Sequence, residues 1–337
     1  MLVIRCDEFG PPSSLRVVTV SPPTPRAGQV LIQVTAVGVG FVDGLLIQGR
    51  YQIKPALPFV PGNEFAGRVV ALGDGVSGEL AVGDRVMGLA SGAFAETLAL
   101  PARACIRVPD GLTDPQAAGF LLNHATALYG LDDCGQLQSG ESVLVLGASG
   151  GVGSATIAVG KAMGLHVIAA ASTPEKVAAA VACGADAGVC YGAPDWRETL
   201  KTVLADRPLN AVMDPVGGNV AEPALRSLSP GGRFLVAGFA GGSVPAIALN
   251  LPLLKRCSIV GVDWGGASRA DPALTPALAA KLLRLIADRR LKPPPVAVWP
   301  LVDVRSALQA QLAGWIMGKL VIDMSGAWPE EGGARVE

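Results

Sequence analysis

The sequence predicts an α/β chain in two parts, a barrel-like β domain and a doubly wound parallel sheet. Three observations carry this. Residues 1–115 break into short β-branched segments punctuated by proline and glycine; from residue 142 onward, apolar strands alternate with helical stretches; and a glycine cluster joins the first of those strands to the first of those helices. A length of 337 residues also suits about two domains, at roughly 100–200 residues each.

Taken in order, the N-terminal part offers strands at 30–37 and 67–72, separated by turns at Pro22, Pro23, Pro58, Pro61, Gly73, Gly75 and Gly83. Composition turns helical near residue 115, over 115–122 and 125–131. Strands follow at 142–146, 166–171, 187–190, 211–213, 233–237 and 258–262, with helices near 152–163, 174–183, 195–204 and 219–228. Such alternation implies βαβ units. An amphipathic helix at 272–290, an extended segment at 293–299, a helix near 303–314 and a closing strand at 319–324 complete the chain. The two-part estimate becomes a discontinuous first domain, 1–121 with 263–337, around an inserted second domain, 122–262.

Composition excludes several classes. Hydrophobic residues make up 50% and charged residues 16%, against a usual charged share of about 25%. The 43 glycines and 26 prolines are about a fifth of the chain, short of the roughly 25–30% that marks low-complexity disorder. A net charge of -1 leaves no basic field for nucleic acid or an anionic membrane. Uncharged runs at 142–160 and 234–254 contain glycines and prolines that suit buried strands and loops better than a membrane-spanning helix. Charges at Arg5, Asp7 and Glu8 interrupt any signal-peptide core. Six scattered cysteines show no ligand spacing, so a reducing, cytoplasmic setting without a disulfide framework is expected.

The segment SVLVLGASGGVG over 142–153 is the strongest functional signal. Strand, glycine turn and helix follow one another, with Gly150 where backbone must approach a pyrophosphate and Gly153 where helix must pack on strand. The helix N-terminus offers Ser149, Gly150, Gly151 and Val152 around a phosphate. The second strand ends AAASTPEK over 169–176, with no acid at its tip to bind a ribose 2′-hydroxyl. Ser172 can hydrogen-bond a 2′-phosphate and Lys176 can neutralise it, so NADPH is the expected cofactor. Glu175 belongs to the first turn of the following helix, where acids are favoured.

These features, with PRAGQVLIQV (25–34), VGVGFVD (37–43), GRY (49–51), LPFVPGNEFAG (57–67), GDRV (83–86), DPVGG (214–218), GGRF (231–234) and GKLVI (318–322), resemble the medium-chain dehydrogenase/reductase superfamily. The sequence is most similar to its zinc-independent quinone oxidoreductase, or ζ-crystallin-like, branch. The resemblance implies a GroES-like β-barrel catalytic domain beside a Rossmann sheet. It also implies an NADPH-dependent reductase of quinones or α,β-unsaturated carbonyls. An enoyl-thioester reductase and a low-turnover NADPH-binding protein with a structural or interaction role are the alternatives.

The resemblance also assigns residues. Tyr51 matches the family's active-site tyrosine, and Phe41 and Asp43 fall in a loop lining the nicotinamide pocket. Thr126 matches a threonine at the nicotinamide end, and Tyr191 a tyrosine at the 2′-phosphate. Val216, Phe239 and Ala240 follow sheet strands, at the end where such sheets bind ligands, and Lys319 is a candidate to reach the cofactor. Asn63 stands where zinc-dependent relatives have histidine, so no metal is expected. Gly40 replaces the branch's usual asparagine. The edge strand at 258–262 is expected to pair two copies into a homodimer, with no nucleic-acid or membrane partner.

Overall fold

A computed structural model describes residues 1–76, 78 and 80–329. The chain divides into two compact units: Met1–Leu122 with the described residues from Pro293 on, and Asn123–Lys292. The return to the first unit thus falls at 293 and not at 263. Segment 263–292 stays with the second unit because its contacts are there. Lys281 pairs with Asp132 at 2.9 Å, and Arg290 donates to the Ala162 carbonyl at 2.7 Å.

In the first unit, β1 (Leu2–Arg5) and β2 (Arg16–Thr19) form an antiparallel ribbon. The central strand is β3 (Gln29–Val39), in which Val30, Ile32 and Val34 are buried at alternate positions. Then come α1 (Phe41–Ile47), β4 (Glu64–Leu72), β5 (Arg85–Leu89), β6 (Thr97–Pro101), β7 (Cys105–Arg107) and α2 (Asp114–Ala118). Phe41 and Asp43 therefore lie on a short helix, not in a loop. Asp43 supplies the reason: its carboxylate accepts the Gly40 N–H at 2.7 Å and caps the first turn.

The chain passes through α3 (Leu121–Leu128) and a π-helical turn (Tyr129–Cys134). The second unit is then built from β8 (Ser142–Leu146), α4 (Gly151–Ala162), β9 (His166–Ala171), α5 (Pro174–Ala182), β10 (Ala187–Cys190), α6 (Trp196–Leu204), β11 (Ala211–Asp214), α7 (Ala221–Ser227), β12 (Arg233–Val236), α8 (Asn250–Lys255), β13 (Ser258–Gly261), α9 (Trp264–Ala270) and α10 (Leu274–Ala287). Its six strands are all parallel, in the order β10-β9-β8-β11-β12-β13. This is the doubly wound order, which reverses beside β8. Val143, Leu144, Val145 and Leu146 are fully buried, as a strand covered on both faces requires. Short α8 and α9 were not expected, since proline and glycine in NLPLLK and WGGASRA mask any helical period.

The chain returns through β14 (Val296–Pro300), α11 (Val304–Leu312) and β15 (Lys319–Asp323). β15 pairs antiparallel with β3, Leu320 opposite Val39, and closes a seven-stranded sheet around a core that includes Ile32, Phe65, Phe94 and Ile322. Among the described residues no helix is long and apolar enough to cross a membrane.

Candidate functional site

The glycine turn after β8 is built by close approach. Gly147 holds φ at 58°, a left-handed conformation that glycine adopts without cost. Gly153 lies on that same turn: a Cβ there would stand 2.2 Å from the Gly147 carbonyl oxygen and 2.7 Å from the Ala148 Cα. Gly150 is the N-cap of α4, with no side-chain cap, and a Cβ on it would meet only the Gly147 oxygen, at 3.3 Å. The Gly150 N–H donates to the Gly147 carbonyl at 2.9 Å, so twelve-residue α4 presents its uncapped N–H groups at Gly151 and Val152, and half-buried Ser149 flanks them.

The carboxyl ends of β11 and β12 frame this turn. Val216 packs over Gly147, where a Cβ would come within 2.7 Å of its Cγ2. Asp214 sets the Val216 loop by accepting the N–H groups of Val216 and Gly217, both at 2.8 Å. Burial pushes the Asp214 carboxyl up, and these two donors partly offset the shift. Phe239 lies against Gly217 and is exposed, Ala240 donates to the Pro215 carbonyl at 3.0 Å, and Gly241 donates to the Val216 carbonyl at 2.8 Å. The structure thus gathers Ser149, Gly150, Gly151, Val152, Gly153, Val216, Phe239 and Ala240 at one end of the sheet.

At the tips of β9 and β10, the Ser172 side chain lies beside the Tyr191 hydroxyl, close enough to favour its ionised form. Burial raises the Tyr191 phenol above its ordinary range, so it remains a donor. Gly192 makes the approach possible, since a Cβ there would stand 2.4 Å from the Ser172 carbonyl oxygen. Thr173 caps α5 by accepting the Lys176 N–H at 3.3 Å. The Glu175 carboxylate, in the first turn of α5, is held below its usual range by its own backbone N–H and the Thr173 hydroxyl. Thr126 sits half-buried on α3.

The first unit carries a separate buried polar cluster. Asp43 is 1% exposed and accepts the Asn63 amide at 2.6 Å as well as the Gly40 N–H. Burial raises its carboxyl, an effect opposed first by the Gly40 N–H and then by the nearby Lys319 ammonium. Lys319 is buried, its Nζ 2.9 Å from Glu64 Oε2. That contact is close but off the direction a hydrogen bond needs, so the attraction is Coulombic. Glu64 Oε1 accepts the Leu122 N–H at 2.8 Å. Tyr51 follows α1 and is half-buried. Lys319 is therefore bound up inside the first unit and is no surface lysine.

Comparison with known proteins decides the family. Residues 26–110 match the alcohol dehydrogenase GroES-like domain and residues 151–280 the zinc-binding dehydrogenase family. A quinone oxidoreductase-like protein 2 homolog of Nematostella vectensis is 36% identical over 326 residues, covering 95% of this chain and 88% of that one. The chain belongs to the zinc-independent quinone oxidoreductase branch of the medium-chain dehydrogenase/reductase superfamily. Among solved structures, Escherichia coli quinone oxidoreductase complexed with NADPH superposes with a TM-score of 0.86 at 26% identity, covering 96% of this chain and 100% of that one. CurK enoyl reductase superposes with a TM-score of 0.85 at 26% identity, covering 96% and 99%.

The zinc named by the second family model does not fit this chain's residues. Asn63 spends its amide nitrogen on Asp43, and among the described residues no group of three His, Cys, Asp or Glu side chains could hold a metal. Sequence reasoning named no role for Glu64, Asp214 or Asn123. The DPVGG motif held the signal for Asp214, since an Asp before a glycine turn commonly accepts its N–H groups.

Proposed function

We propose that this oxidoreductase binds NADPH and reduces a quinone or the activated double bond of an α,β-unsaturated carbonyl. The observation that supports it most is the pairing of an uncapped helix N-terminus behind a cradle only glycine can line with a Ser172–Tyr191 pair at the strand tips. These residues fit the dinucleotide. Gly150, Gly151 and Val152 would hold the pyrophosphate, and Ser172, Tyr191 and Lys176 the 2′-phosphate. Val216, Phe239 and Ala240 would border the chain of the cofactor, and Thr126 its nicotinamide end.

When bound, NADPH supplies the hydride. Tyr51 would hydrogen-bond the acceptor oxygen, while Asp43 and Phe41 hold α1 and its approaches in place. Steady-state assays with NADPH and NADH against a quinone, an enone and an enoyl-CoA test this reading. A kcat/KM at least about tenfold higher with NADPH supports the cofactor. Tight NADPH binding with no turnover on any acceptor points to a binding protein and overturns the enzymatic claim.

Gly40 favours a second reading. It puts no side-chain amide at the start of α1, and a Cβ there would reach Asp43 at 3.3 Å and Leu122 at 3.7 Å. Together with the likeness to CurK enoyl reductase, this supports an enoyl thioester as acceptor, and the highest kcat/KM on enoyl-CoA would select it.

We also propose a homodimer through the β13 edge. Ile259 on that strand is 40% exposed, and Leu249, Leu253 and Leu254 beside it are more than 70% exposed. Sedimentation that gives a monomer, unchanged by Leu253→Asp, would sink it. The six unpaired cysteines suit a reducing compartment, and cytoplasmic residence belongs to the same reading.

A further inference from the structure

Asn123 stands in the first turn of α3, and its side chain lies on Gly151, the first residue of α4. A Cβ built on Gly151 would meet Asn123 Nδ2 at 2.5 Å, so this amide nitrogen touches the flank of the α4 N-terminus. The residue is 8% exposed, yet its side chain makes no hydrogen bond to any described residue. The side chain is mostly enclosed while its polar atoms keep some exposure, so the amide N–H groups are open to an acceptor that enters this space. The N–H groups beside it are also unpaired, because the first turn of a helix has no intrahelical acceptors. Two independent sets of donors therefore converge on one spot. Thr126 lies three residues on, along the same side of α3.

We propose that Asn123 is a positioning residue for the dinucleotide, its Nδ2 donating to a pyrophosphate oxygen from the side of α4. This rests on the NADPH reading above. A pyrophosphate oxygen matches both donor sets at once: it is anionic, as the helix terminus prefers, and acceptor-only, as an unpartnered amide N–H requires. The Gly151 hydrogen leaves the space into which Asn123 fits. Asn123 and Gly151 are thus one device, in which the missing side chain of one makes room for the amide of the other.

The test measures equilibrium binding, independent of turnover, on wild type, Asn123→Ala and Asn123→Asp. The ligands are NADPH, followed by its fluorescence, and adenosine 2′-monophosphate, which has no pyrophosphate, followed by calorimetry. Asn123→Ala is expected to raise the Kd for NADPH about tenfold, or ~1.4 kcal/mol, and to leave that for adenosine 2′-monophosphate within twofold. Asn123→Asp keeps the shape but adds a negative charge, so it should weaken NADPH binding further, and more so at low salt. The isosteric variant also serves if the alanine variant unfolds. An unchanged NADPH Kd in the folded variants, or an equal loss for both ligands, overturns the role of Asn123 while leaving the cofactor reading standing. Wild type that binds neither ligand overturns both.

Discussion

Gly150 and Gly153 stand three residues apart in one glycine turn, yet the structure assigns them different duties, and alanine separates the two. At Gly153 a methyl group would sit 2.2 Å from the Gly147 oxygen, 2.7 Å from the Ala148 Cα and 2.8 Å from the Gly147 carbonyl carbon. All three are backbone atoms, so relief requires moving β8 and α4 apart. Overpacking of this kind costs up to about 3 kcal/mol, against roughly 1 kcal/mol gained by replacing glycine inside a helix. The net loss of about 2 kcal/mol should lower the melting temperature of the second unit by roughly 4–8 °C. At Gly150 the nearest atom is 3.3 Å away and φ is -82°, which alanine adopts freely. Its cost to the fold should stay within about 1 kcal/mol, the difference between glycine and alanine at an N-cap. On the NADPH reading proposed above, the methyl group would enter the space of the pyrophosphate. Differential scanning calorimetry with NADPH titration reads both effects. We predict that Gly150→Ala melts within about 3 °C of wild type but binds NADPH at least about tenfold more weakly. A Gly150→Ala protein with wild-type NADPH affinity would refute the cradle.

Four further outcomes follow from the same geometry. Lys319→Met leaves the Glu64 carboxylate buried without its ion-pair partner and should cost about 3–5 kcal/mol in urea unfolding, largely recovered in the Glu64→Gln/Lys319→Met double variant; a stable Lys319→Met with weakened NADPH binding would instead return Lys319 to the cofactor site. Burial raises the Asp43 carboxyl in the folded chain, so the native state holds its proton to higher pH than the unfolded chain does. Its contribution is complete below the ordinary carboxylate range and is lost as pH rises through the folded value. Asn replacement at 43 should flatten that fall in a pH series of melting temperatures, and an unaltered slope counts against it. Ser172→Asp places an acid at the β9 tip and should move the NADPH-to-NADH ratio of kcat/KM toward NADH by at least about tenfold; no movement would displace Ser172 from the 2′-phosphate. Treatment of the protein with EDTA should leave melting temperature and rate unchanged, because Asn63 and Asp43 satisfy each other without metal, and a drop in both that zinc restores would contradict this.

The parallel sheet was readable because its signals are local. Strands 142–146, 166–171 and 187–190 are uninterrupted apolar runs that stop at glycine or polar residues, and the structure reproduces all three ranges. The glycine turn was readable because the close approach of helix to strand needs missing side chains at fixed spacing. What escaped rests on short elements or on partners distant in sequence. Phe41 and Asp43 read as loop since α1 has seven residues and a glycine cap; its helix is secured by one hydrogen bond from Gly40 to Asp43. The expected boundary at 263 ignored α10, whose amphipathic pattern cannot say which unit it covers. Leu278 and Leu282 are buried on it, and Lys281 reaches back to Asp132. Asn123 was unmarked because nothing in LLNHATAL distinguishes an amide facing a glycine turn from one facing solvent.

The first-unit cluster shows why losing a metal position need not destabilise a barrel of this kind. Two acids, Asp43 and Glu64, are buried there at 1% and 0% exposure, and unpaired buried carboxylates would be strongly unfavourable. Each instead meets one backbone N–H and one side-chain nitrogen: Gly40 and Asn63 for Asp43, Leu122 and Lys319 for Glu64. Only Lys319 carries charge, and it acts on both acids, as an ion-pair partner to Glu64 and as a field that favours the ionised form of Asp43. Gly38 makes the arrangement possible on the strand between them, since a Cβ there would stand 2.8 Å from Glu64 Oε2 and 2.9 Å from Lys319 Cε. The amide at residue 63 is the replacement that matters most. Imidazole without metal offers one N–H and one lone pair, and the lone pair would need a donor of its own in the buried site, whereas an amide can give its N–H to Asp43 and turn its oxygen outward. The cluster is therefore satisfied from within the chain, which leaves α1 anchored at Asp43 and β15 anchored at Lys319 without an ion between them.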